Sequence, residues 1–182
     1  LYGRLLGKRF DARFFLDPVA AHGTHGCDYL LTVDMEMEPV AGYDFANWAK
    51  GYGDVHLQPE ENTLRLASWL DRTAIVICNV TDEATHKPLP VAPRSVLQAQ
   101  VQEAAGQGFS AMAASELEYY LFDGSYQDAA RRDYRGLEPA GWYREDYHVL
   151  QATRMEGFHG TLRRQLAASG IPVESTKGEW GK

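Results

Sequence analysis

The sequence predicts an α+β chain in two parts, and three observations carry that expectation. Strand-like segments at residues 54–57, 63–69 and 73–80 follow one another with turn residues between them. Pro88, Pro90 and Pro93 then break the pattern. Beyond them helix and strand signals alternate, as they do in an α/β layer.

The elements are expected in this order. Residues 3–10 read as a short strand with basic residues at alternate positions, followed by a helical turn at 13–16. The Gly-, His- and Ala-rich stretch 20–26 reads as a loop and 29–33 as a strand. Residues 35–52, with Pro39, Gly42 and Gly51, read as irregular. Residues 73–80 are β-branched and almost wholly apolar, which suits a central strand. Past the prolines, 94–107 reads as a helix stopped by Gly106 and Gly108. A buried strand is expected at 109–122, then a long polar and aromatic loop at 124–147, too long to be idle. Met155, Phe158, Leu162 and Leu166 recur at helical spacing, and Gly170 closes that helix. A strand at 171–175 follows.

Bulk properties exclude several classes. Of 182 residues 45% are apolar and 24% charged, the balance of a folded globular chain. A net charge of −7 opposes binding to nucleic acid or to an anionic membrane. It leaves room for a nucleotide whose phosphates a divalent metal screens. Cys27 and Cys78 stand far apart with no C-x-x-C spacing, so neither a disulfide scaffold nor a thiolate zinc site is expected, and a reducing cytoplasm is the expected location. The longest apolar run, 74–78, is too short to span a bilayer, and the start lacks the pattern of a signal peptide. The chain starts at Leu1 rather than Met and stops at Gly181-Lys182 just after a charged and aromatic cluster, so both ends read as cut.

Chemistry concentrates in Ser115-Glu116-Leu117-Glu118-Tyr119-Tyr120-Leu121-Phe122. In extended backbone Glu116, Glu118 and Tyr120 share one face, with the two carboxylates roughly 7 Å apart along the chain. That spacing suits hard cations, which take oxygen donors. It equally suits one wet face of an antiparallel strand. The flanking apolar residues predict burial, and two buried acids without a cation would be costly. A second acidic segment, Val173-Glu174-Ser175-Thr176-Lys177-Gly178-Glu179-Trp180, admits an ordinary loop reading as well. His22, His25, His56, His86, His148 and His159 are scattered, and a solvated or structural role is expected for them.

Together these segments resemble the glutamine synthetase family over most of the chain. Residues 114–123 fit the family's E-x-E-[FY]-x-L-F strand, and Gly170-Ile171-Pro172-Val173-Glu174 its G-[IL]-x-V-E segment, with Glu179 five residues on. Pro93-Arg94-Ser95 resembles the junction between the family's two domains, and Asp54-Val55-His56-Leu57-Gln58-Pro59 its D-[ML]-x-L-x-P-D stretch. The resemblance implies a β-grasp domain at residues 1–90, truncated at its start. It implies the first, incomplete part of a catalytic α/β barrel at 91–182. By the same carry-over Glu118 and Glu179 are ligands of the tighter of two divalent metals, Mg²⁺ or Mn²⁺, and Glu116 of the metal beside the ATP phosphates. Glu174 would contact the nucleotide.

The implied activity joins ammonia or an amine to the γ-carboxylate of glutamate at the expense of ATP, in a ring-shaped homo-oligomer. The piece alone is expected to be inactive. Ammonia-using members carry an F-D-G-S-S loop, whereas the nearest match here is Phe45-Ala46-Asn47-Trp48, without the acid. That departure, with Cys27-Asp28-Tyr29-Leu30-Leu31, Gly141-Trp142-Tyr143 and Lys177-Gly178-Glu179-Trp180, resembles the γ-glutamyl-amine ligase branch. Glutamine synthetase proper, a non-catalytic relative with a structural role and an unrelated metal-dependent phosphohydrolase are the competing expectations.

Overall fold

The computed structural model describes residues 4–180. Gly3, where the first strand was expected to begin, and the terminal Gly181-Lys182 lie outside them. The chain forms two compact units. One comprises residues up to Leu64 with Ile75–Met112, the other Arg65–Ala74 with the residues from Ala113 on.

In the first unit residues 4–10 pair with no described strand, contrary to the expectation at 3–10. Their side chains stand in solvent on both faces, so neither face rewards pairing. Helical turns follow: α1 (Ala12–Phe14), capped by the Asp11 carboxylate, a π-helical turn at Phe15–Val19 and α2 (Ala20–His22). The expected loop at 20–26 is instead α2 and strand β1 (Thr24–Cys27), with Gly23 at φ 70° making the bend between them. The strand expected at 29–33 is a 3₁₀ turn, Asp28–Leu31. Short polar side chains hold it there: Gly53 N–H donates to Asp28 Oδ2 at 3.1 Å, and the Thr32 hydroxyl donates to the Tyr29 carbonyl at 3.1 Å.

Strand β2 (Asp54–Pro59) is the middle of an antiparallel sheet in the order β1-β2-β5. It pairs Thr24 with Leu57 on one side and Leu57 with Val80 on the other. The segment expected as one strand at 73–80 is split into β4 (Ala74–Ile75) and β5 (Cys78–Asp82). Between them Ile77 N–H donates to the Thr63 hydroxyl at 2.8 Å, and its carbonyl accepts from Glu60 N–H at 2.9 Å. The Glu61–Thr63 turn thus takes the bonds that a sheet neighbour would have taken. Of the strand expected at 63–69, only β3 (Arg65–Leu66) forms, paired with β4.

Helix α3 (Pro93–Gly106) follows the prolines as expected, with Pro93 at its first position, where a missing N–H costs nothing. Its Arg94 Nε and Gln98 Nε2 both donate to Asn79 Oδ1 on β5, at 2.7 and 3.2 Å. Val55, Leu89 and Ala92 form the buried cluster, with Leu31, Phe45, Leu57 and Val80 packed on it. The last turn closes in a Schellman motif: Phe109 N–H donates to the Ala104 carbonyl, Gly108 N–H to that of Ala105, and Gly108 takes φ 84°.

In the turn after β5 the Thr85 hydroxyl and then its N–H donate to Asp82 Oδ1, at 2.7 and 2.8 Å, and hold that carboxyl below its usual range. A depressed carboxyl stabilises the fold above its unfolded pKa, and the contribution is lost as pH falls through the folded value. Thr85→Ala should therefore raise the Asp82 pKa. The share of stability lost on acidification should shrink with it, and the loss should end at a higher pH. Carbonyl-detected NMR titration of Asp82 checks the first effect and unfolding at pH 3 to 7 the second.

In the second unit residues 113–120 pair with no described strand, and their side chains are exposed, so the buried strand expected at 109–122 does not form. A strand is a property of a pair: without a neighbour, Met112 stays 97% exposed and Leu117 80%. Pairing starts only at β6 (Phe122–Asp123), against β7 (Glu138–Pro139). The expected loop at 124–147 thus holds β7 and also α4 (Tyr126–Arg131), capped by the Ser125 hydroxyl. After α5 (Val149–Ala152) comes α6 (Glu156–Ala168), which ends in the same Schellman bonds as α3, with Gly170 at φ 74°. The strand expected at 171–175 does not form: these residues pair with no described strand.

Candidate metal and nucleotide site

The acidic segments both leave the C-terminal caps of helices. Gly108 turns the chain out of α3 toward Glu116 and Glu118, and Gly170 turns it out of α6 toward Glu174 and Glu179. In each case the cap needs a left-handed residue, which glycine supplies without steric cost.

Side-chain contacts show which way the first segment faces. Tyr119 packs edge-on against Phe158 of α6 at 6.0 Å and lies 5.9 Å from the His159 ring. Partial burial there pushes the Tyr119 phenol above its ordinary range. On the other side Tyr120 and Phe122 stack at 6.4 Å, as residues two apart on one face do. Glu118 and Glu116 stand two and four residues before Tyr120 in this unpaired stretch. Both are exposed, so the burial on which the metal reading partly leaned is absent here.

Glu116, Glu118 and Glu174 make no hydrogen bond or ion pair with any other described residue, so their oxygens are open to a cation or to solvent. Open carboxylates are the donors that Mg²⁺ and Mn²⁺ take, so the two residues fit such an ion. They supply part of a shell: among the described residues no three His, Cys, Asp or Glu side chains converge. Glu179 is differently placed. Its carboxylate pairs with Lys177, whose ammonium also lies 4.6 Å from the centre of the Tyr147 ring.

The Glu179 segment is docked on residues 144–148. Tyr147 N–H donates to the Gly178 carbonyl at 3.2 Å, and the Arg144 guanidinium covers the Trp180 ring at 4.4 Å. Gly178 lies so close that an added Cβ would meet the Glu145 carbonyl oxygen at 2.3 Å. Arg163 of α6 donates to the Thr176 hydroxyl at 2.6 Å. These anchors were not evident in the sequence, where only the aromatic residues Trp142, Tyr143 and Tyr147 stood out.

The sequence also missed a meeting of histidines in the first unit. His25 Nε2 pairs with Glu83 Oε2 at 3.1 Å, a partner distant from it in the sequence. His56 is buried and lies against His86 and the backbone of His22.

Comparison with known proteins places these features in context. The catalytic domain of glutamine synthetase matches residues 90–182. A γ-glutamylethanolamide synthetase of Streptomyces coelicolor is 44% identical over 179 residues, which are 98% of this chain and 38% of that protein. A glutamate–isopropylamine ligase of a Pseudomonas species is 30% identical over 96% of this chain and 38% of its own length. Human lengsin is 31% identical over 67% of this chain and 23% of its own. The chain thus spans 38% of the length of the first two relatives.

Proposed function

The chain belongs to the glutamine synthetase family and is similar to its γ-glutamyl-amine ligase branch, and from that premise we propose that the complete protein is an ATP-dependent glutamate–amine ligase. The observation that carries this reading is the open carboxylate pair, Glu116 and Glu118, inside the residues that match the catalytic domain. Residues 1–90 are assigned to a β-grasp domain and 91–182 to the catalytic domain. The start of the family match at residue 90 and the central pairing of β2 with two antiparallel neighbours support that division.

Glu118 and Glu179 would hold the tighter metal, Glu116 would hold the second, and Glu174 would contact the nucleotide. Two bound Mg²⁺ or Mn²⁺ ions would offset the negative charge on the phosphoryl group in transfer. The γ-carboxylate of glutamate attacks the γ-phosphorus of ATP and ADP leaves. The amine then adds to the γ-glutamyl phosphate, loses a proton and expels phosphate, which leaves an amide. The carboxylates orient and screen in this scheme; none is the nucleophile. Lys177, paired to Glu179, keeps that carboxylate in place until a stronger cation takes it. A cytoplasmic, ring-shaped homo-oligomer completes the proposal.

The acceptor is an amine larger than ammonia, such as ethanolamine. Ala46 stands where ammonia-using relatives have an aspartate, and it is 2% exposed, so no carboxylate reaches out from that position. Asn47 spends its side chain on the loop itself, with Nδ2 donating to the Tyr43 carbonyl at 2.8 Å. On the full-length protein, phosphate release with ethanolamine, isopropylamine and polyamines should give kcat/KM at least about 10-fold above ammonia, a difference of about 1.4 kcal/mol in transition-state binding. Ammonia as the preferred acceptor would move the protein to glutamine synthetase proper.

A further inference from the structure

We propose that the first unit carries a transition-metal site of its own, built on the Nδ1 atoms of His56 and His86. The two nitrogens lie 3.3 Å apart. Two imidazole nitrogens bound to one tetrahedral Zn²⁺ at about 2.0–2.1 Å each lie about 3.3–3.4 Å from one another, so the separation matches such an ion, which a small rotation of the edge-to-face rings, 4.6 Å apart, would admit. The tautomer is set as well. His56 Nε2 lies 2.8 Å from the His22 carbonyl, which can only accept, so the proton sits on Nε2 and Nδ1 offers its lone pair. A ligating histidine commonly gives its other N–H to a backbone carbonyl in this way.

The surroundings keep this geometry. His56 is 5% exposed, and the Thr81 hydroxyl lies 3.1 Å from its Nδ1. His86 reaches over from the turn after β5 with its backbone at φ 54°, a conformation costly for a side-chain-bearing residue and held here by the bonds closing the turn, His86 N–H to the Asp82 carbonyl and Asp82 N–H to that of Lys87. Beside the pair is a cavity of about 330 Å³ lined by Ala21, His22, His56, Gln58, Thr81 and His86. It has room for an ion and several waters, each taking about 30 Å³. As no three ligating side chains converge among the described residues, the protein supplies two nitrogens and water completes the shell. Binding moves the His86 proton to Nε2 and replaces the N–H···N contact with two N–metal bonds. Nitrogen donors select Zn²⁺, Ni²⁺, Cu²⁺ or Co²⁺ over Mg²⁺, which separates this site from the acidic one.

The test uses the full-length protein with Co²⁺ as the probe and excess Mg²⁺ to occupy oxygen-donor sites. One equivalent of Co²⁺ should bind with the visible absorption of a nitrogen-ligated, four-coordinate ion. His86→Asn keeps a residue that tolerates the left-handed turn but removes the imidazole, and should weaken Co²⁺ at least about 10-fold. Glu118→Gln should leave Co²⁺ affinity unchanged. Absence of Co²⁺ binding, equal affinity in His86→Asn, or loss of binding in Glu118→Gln would each overturn the proposal.

Discussion

Replacing Glu118 with glutamine should lower kcat/KM of the full-length ligase by about 10²-fold or more, a loss of at least about 2.7 kcal/mol of transition-state stabilisation. The amide keeps the shape of the side chain but removes the charge that a hard cation requires. In the 182-residue chain the same change should leave stability within about 0.5 kcal/mol, because Glu118 is exposed and bonded to no other described residue. Activity and Mg²⁺ or Mn²⁺ affinity should therefore fall together while the thermal transition stays in place. Glu116→Gln should behave alike, with its larger effect on the KM for ATP. Full activity in Glu118→Gln would remove that residue from the metal shell.

Gly178→Ala should have the opposite profile, damaging stability and activity together. The new methyl would stand 2.3 Å from the Glu145 carbonyl oxygen, which is backbone and cannot swing aside. Overpacking of this kind costs about 1–3 kcal/mol. The segment carrying Glu179 must then move off residues 144–148, and a misplacement of about 1 Å near the chemistry can cost about 10²-fold in rate. Gly157→Ala is the matched control. Gly157 sits in α6 with open space around its Cβ position, so alanine there should stabilise by about 0.5–1 kcal/mol. Chemical denaturation of the three proteins, with phosphate release from their full-length forms, reads both effects. Wild-type behaviour in Gly178→Ala would mean that the docked arrangement does not set the position of Glu179.

What could be read from the sequence follows from how local each feature is. Helix α3 was legible almost to the residue, because Pro93 starts it and Gly108 caps it through bonds to residues within one turn. Strand β2 was legible over Asp54 to Leu57, whereas the strand expected at 73–80 covers only Cys78 to Val80 of β5, because the Glu61–Thr63 turn takes the bonds of Ile77. Strand β1 was not legible, since Thr24-His25-Gly26-Cys27 has no alternation and is a strand only through its register with β2. The expected strand at 109–122 failed for the converse reason: its composition is right, but no described segment pairs with it before Phe122.

The candidate site divides in the same way. The shared face of Glu116 and Glu118 follows from a two-residue period and needs no tertiary information. The docking of Gly178 and Trp180 on Tyr147 and Arg144 joins residues more than 30 apart, and no period encodes that. The meeting of His22, His56 and His86 needs α2, β2 and the turn after β5 to be in place together, so scattered histidines in the sequence became neighbours only in the fold.

The central claim is that glutamate, an amine and ATP react together on this protein, and the most direct measurement is phosphate release by the full-length protein with each reactant withheld in turn. Mg²⁺- or Mn²⁺-dependent phosphate release should require both glutamate and the amine, with one γ-glutamyl amide formed, by mass spectrometry, per phosphate. Phosphate release that continues undiminished without glutamate and amine would contradict it and would make the protein an ATP phosphohydrolase.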